Sequence, residues 1–101
     1  MACESGALDA AISAAAGDDP ALARELHANF VSSLTSQIDL LRRARCDGNW
    51  QVAARRLHDL GASFHEEALA KLAGEARDGV PGDPVILRQI TRYAEKFAFR
   101  G

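Results

Sequence analysis

Residues 49–72 read Asn49-Trp50-Gln51-Val52-Ala53-Ala54-Arg55-Arg56-Leu57-His58-Asp59-Leu60-Gly61-Ala62-Ser63-Phe64-His65-Glu66-Glu67-Ala68-Leu69-Ala70-Lys71-Leu72. Trp50, Ala53, Leu57, Leu60 and Phe64 recur at intervals of three and four, which is one stripe of an α-helix turned towards a core. His58 follows Leu57 and is therefore rotated about 100° from that stripe, onto the flank of the helix. One turn away from it stand Ala54, Arg55, Gly61 and Ala62. Three of the four are small, so the spacing predicts an imidazole in a clearing that a second protein could reach. A titratable, nucleophilic ring on an uncrowded rigid helix is a candidate site.

Helical periodicity continues on both sides. Leu8 and Ile12, spaced by alanines, predict a short first helix over residues 5–16 that ends near Gly17. Asp18-Asp19-Pro20 restarts the chain: Asp19 can cap, and Pro20 suits the first helical position. The second helix is expected from Pro20 to Cys46, a rod of roughly 38 Å, with Leu22, Leu26, Phe30, Leu34, Ile38 and Leu41 facing inward. Asp47-Gly48-Asn49 reads as the following turn, with Asn49 capping the third helix. Gly61 and the pair Ser63…Glu66, spaced as a capping box, predict a break near 61–65 and a fourth helix to about Ala76. The turn-forming run Asp78-Gly79-Val80-Pro81-Gly82 precedes a second cap-then-proline pair, Asp83-Pro84. A last helix to Phe99 carries Ile86, Ile90, Tyr93 and Phe97 on one face. No strand alternation, repeat or low-complexity linker interrupts this order. The expected architecture is all-α: a single domain over residues 1–101, folded as an up-and-down four-helix bundle with a short additional N-terminal helix.

The 101 residues carry a net charge of −2. There is no basic excess to neutralise phosphates, which argues against nucleic acid as a partner. A helix-turn-helix reading of Val52–Leu57 and the helix after it is disfavoured too, because Glu66 and Glu67 would face the DNA. No apolar run approaches the roughly 18 residues of a membrane helix, and the alanine-rich start lacks the basic and strongly apolar regions of a secretory leader. The expectation is a cytoplasmic protein, with Cys3 and Cys46 as free thiols.

The chain has no glycine-rich phosphate loop, nucleophile elbow or Cys/His metal spacing. His58 and His65 lie seven apart, too far to share one metal ion, which favours i, i+4 on a helix. His65 and His27 read as surface histidines. Arg55, one turn before His58, and Gln51, one turn earlier again, extend the face around it, and a guanidinium there could pair with a phosphoryl oxygen.

The segment His58-Asp59-Leu60-Gly61-Ala62-Ser63-Phe64 resembles the motif His-x-Leu-Lys-Gly-x-(Ala/Ser) of histidine phosphotransfer (HPt) domains, the four-helix modules of multistep two-component phosphorelays. The surroundings are similar as well: a long helix with a central aromatic (Phe30), a short acidic turn (Asp47-Gly48-Asn49), the histidine some ten residues on, and a further helix opening from Ala68. The resemblance runs from Asp9 to Phe97. His58 and Leu60 match. Either Gly61 stands at the lysine position and Ala62 at the glycine position, or Gly61 is the family glycine after a one-residue deletion; the lysine is absent in both alignments, leaving Arg55 as the nearby cation. The resemblance implies that His58 is the phospho-acceptor and that Gln51, Ala54, Arg55, Gly61, Ala62 and His65 surround it on the partner-facing surface. It also implies a response-regulator receiver domain as partner, with a sensor histidine kinase as a further one. It implies no cofactor of the chain's own, because Mg²⁺ would come with the receiver. The same fold can serve instead as a non-catalytic module that binds a receiver or kinase. Monomer and homodimer both fit, since some relatives of this fold dimerise through their first helices.

Overall fold

A computed structural model describes the backbone of residues 3–98 and the side chains of residues 8–97. It contains α1 (Cys3–Ala16), α2 (Pro20–Arg43), α3 (Asp47–Ser63), α4 (Glu67–Asp78) and α5 (Pro84–Ala98). No strand occurs among the described residues. The expected end of the last helix at Phe99 and the side chain of Cys3 lie outside them.

Two helix starts follow directly from local chemistry. The Asp19 carboxylate accepts from the backbone N–H of Ala21 at 3.0 Å and of Leu22 at 3.2 Å, with Pro20 opening α2. This satisfies two of the donors that a helix start leaves without partners. Asp83 accepts from Val85 N–H at 2.9 Å ahead of Pro84 in the same way. Gly17 closes α1 in the left-handed region, φ 66°, where glycine carries no Cβ penalty.

The start of α3 differs from the expectation. α2 stops at Arg43, and Ala44 turns extended behind it. Cys46, not Asn49, is the N-cap: its Sγ accepts from Asn49 N–H at 3.5 Å. The segment Asp47-Gly48-Asn49 is therefore the first turn of α3 rather than a loop, and Asp47 there complements the positive end of the helix dipole.

The end of α3 also corrects the sequence reading. Ser63 does not cap α4; it is the last residue of α3. The chain leaves the helix through a Schellman turn, in which His65 N–H bonds Ala62 C=O at 3.3 Å and Glu66 N–H bonds Gly61 C=O at 2.7 Å. His65 occupies the left-handed position, φ 58°, that glycine usually takes. Glu66 makes no side-chain cap. Its carboxylate is buried and accepts a hydrogen bond from the Tyr93 hydroxyl of α5.

The core is contributed by all five helices: Leu8 and Ile12 of α1, Phe30, Leu34, Ile38 and Leu41 of α2, Trp50 and Leu57 of α3, Leu69 and Ala73 of α4, and Ile86, Ile90, Tyr93 and Phe97 of α5. Leu22, expected to face inward, is 36% exposed and begins the α2 stripe one turn too early. Rings cluster at one end of the core, with Phe30 edge-on to Phe64 at 5.0 Å and to Phe97 at 5.4 Å, geometries that favour aromatic pairs beyond their buried area. α2 packs on α1, α3 and α5, and α4 packs on α3 and α5. No described helix is long and apolar enough to cross a membrane.

Candidate functional site

The candidate site lies on α3, and what fixes it is the way α3 meets α4. At the start of α3 the buried Trp50 indole N–H donates to Ala76 C=O at 2.7 Å, and the Gln51 amide donates to Arg77 C=O at 2.8 Å. Both acceptors sit in the last turn of α4, where helix carbonyls have no partner within their own helix. α3 thus caps the end of α4. At the other end Gly61 brings the two backbones together. A Cβ there would lie 2.7 Å from Ala70 N and 3.0 Å from Glu66 C=O, both main-chain atoms. The pair is an antiparallel hairpin fastened at both ends. His58 lies on α3 between these two fastenings.

His58 is half-buried, with 36% of its side chain exposed. Its Nδ1 lies 3.6 Å from the Asp59 carboxylate, beyond hydrogen-bond distance. Among the described residues Nε2 has no partner. Arg55, Ala62 and His65 are exposed. The ring is therefore half-buried, with one nitrogen beside a carboxylate and the other without a partner among the described residues.

Three residues expected on the partner-facing surface have other duties. Ala54 is fully buried in the core and Gly61 is buried against the backbone of Glu66 and Ala70. Gln51 is half-buried and its amide is engaged by Arg77. Of the residues near His58 on α3, Arg55, Asp59 and Ala62 are the exposed ones. Of the other histidines, His27 is half-buried with its ring 6.3 Å from that of Phe97, and His65 serves the Schellman turn. Among the described residues no group of three His, Cys, Asp or Glu could hold a metal ion.

The sequence reading missed the Glu66–Tyr93 pair. Burial, then the Glu66 hydrogen bond and the nearby carboxylate charge, push the Tyr93 hydroxyl well above its ordinary range. The available hint was a tyrosine on the inward stripe of α5, since a buried phenol needs a polar partner. This bond ties the α3–α4 turn, and with it the C-terminal end of the His58 helix, to α5.

No family model, curated protein or solved structure matches the chain.

Proposed function

We propose that α2 to α5 form an up-and-down four-helix bundle with α1 laid against α2, and that the chain is a cytoplasmic HPt-like phosphotransfer module. The observation that carries this reading is His58 itself. It is a half-buried imidazole whose Nε2 has no partner among the described residues, held on a hairpin fastened at both ends. Phosphoryl relay asks little more of the carrier, because the receiver partner brings the aspartyl phosphate and the Mg²⁺. Nε2 would attack phosphorus as the acyl-phosphate O–P bond breaks, leaving the receiver aspartate as a carboxylate and forming an N–P bond on His58. Asp59, beside Nδ1, offsets the positive charge that the ring gains. Arg55, one turn away, is the cation available to a phosphoryl oxygen. A rigid helix suits this work, since transfer depends on the angle of attack.

A second reading is a non-catalytic module that binds a receiver or kinase without accepting phosphate. The packing of Gly61 favours it: no side chain fits there, so a lysine at that position is sterically excluded. One experiment separates the two. The chain and its His58→Ala variant are each mixed with a panel of receivers, and both binding and transfer of label from the phosphorylated receiver are read. Relay predicts transfer to wild type alone. Binding by both proteins with transfer to neither supports the second reading. Transfer of equal label to both excludes His58 as the acceptor.

A further inference from the structure

The seam between α2 and α5 carries a second surface that the phosphotransfer reading does not use. A groove of about 570 Å³ there is lined by Arg42 of α2 and by Arg88, Thr91, Arg92 and Glu95 of α5. Arg42 and Thr91 also line the adjoining hollow, which adds the hydroxyls of Thr35 and Ser36 and the Asp39 carboxylate, itself paired with Arg43 at 3.0 Å. None of the three arginines has an ion-pair partner among the described residues. In a chain of net charge −2, three guanidinium groups against the Glu95 carboxylate, with Asp39 already paired to Arg43, is a local inversion of sign.

The placement also runs against what a helix alone would choose. Arg42, in the last turn of α2, complements the negative end of that helix's dipole. Arg88 and Arg92 gain no such benefit. They stand four apart, where like charges repel. Arg88 lies in the first half of α5 and Arg92 just past its middle, both away from the last turn where the dipole favours a cation, and the first turn holds no acidic residue. Glu95, three residues after Arg92, offsets only one of these charges, and uncompensated breaches of local preference concentrate at functional sites. A multivalent oxyanion supplies the missing compensation. Guanidinium forks bond phosphate and carboxylate oxygens in pairs, the Thr91 hydroxyl adds a donor, and the half-buried Leu87 offers an apolar floor.

We propose that the α2–α5 groove binds a small organic anion through a phosphate or polycarboxylate group held by Arg42, Arg88 and Arg92. The site is independent of His58. The test is a nitrogen-15 NMR titration of the whole chain at low ionic strength, with inorganic phosphate in one arm and citrate in the other. Saturable shifts confined to residues 35–43 and 84–95 are expected in at least one arm, and the arm that responds names the anion class. The Arg88→Gln/Arg92→Gln double variant should bind about tenfold or more weakly, as loss of two charged hydrogen-bond donors implies. Arg42→Gln on the other helix should weaken binding as well, so a fault confined to α5 cannot mimic the loss. Shifts scattered over every exposed arginine, no saturation with either anion, or unchanged binding in the variants would overturn the proposal.

Discussion

Two helix pairs in this molecule solve the same packing problem differently. The α3–α4 hairpin is fastened by main-chain chemistry. Trp50 and Gln51 donate to the terminal carbonyls of α4, and Gly61 lets the backbones touch. The α2–α5 pair meets through apolar side chains, among them the edge-on rings of Phe30 and Phe97, and leaves a charged groove beside the contact. Close backbone approach demands small, uncharged residues along the line of contact. A wider seam has room for long charged side chains at its rim. His58 is carried by a helix of the first kind of pair, and Arg42, Arg88 and Arg92 line the groove of the second.

If that contrast is right, the most damaging small change is Gly61→Ala. Its new Cβ would meet backbone on two sides, and overpacking of that sort costs about 2–3 kcal/mol, to be read as a drop in chemical-denaturation midpoint. Next is Trp50→Phe, which leaves the Ala76 carbonyl buried without a donor and should cost about 2 kcal/mol. The third prediction concerns pH. The folded chain holds the Tyr93 proton more tightly than the unfolded chain, where tyrosine titrates near 10.0. The resulting stabilisation is fully present below pH 10 and falls as pH rises beyond it, by up to about 1.4 kcal/mol per pH unit. Tyr93→Phe should remove that component from the alkaline slope; an identical slope in both proteins would refute it. The smallest effect has the opposite sign. Gly74 lies within α4, where an added Cβ meets nothing within 4 Å. Gly74→Ala should stabilise the chain by about 0.5–1 kcal/mol. Two glycines in one hairpin thus give opposite answers, and equal behaviour would break the account of how α3 and α4 meet.

The elements that were legible in the sequence are those decided by neighbours along the chain. Asp19-Pro20 and Asp83-Pro84 mark helix starts because a carboxylate two residues away is the whole mechanism. The end of α3 was not legible in this way. Ser63 and Glu66 have capping-box spacing, yet the Glu66 carboxylate is claimed by Tyr93, 27 residues further on, and no local rule can weigh that competition. The site was half legible. The flank position of His58 follows from periodicity alone. Its small neighbours were ambiguous, because a small residue beside a candidate site has two possible physical causes. It can leave room for a partner outside the molecule, or it can yield room to a helix inside it. Ala62 is exposed, whereas Ala54 and Gly61 belong to the second case, and only the tertiary packing separates them.

The proposed role of His58 is tested most directly by locating the phosphate. After incubation of the chain with a phosphorylated receiver, peptides are mapped by mass spectrometry under neutral to alkaline conditions that preserve N–P bonds. The account predicts an acid-labile phosphoryl group on His58 that persists in His65→Gln and disappears in His58→Gln. Phosphate on another residue, or its retention in His58→Gln, would contradict it.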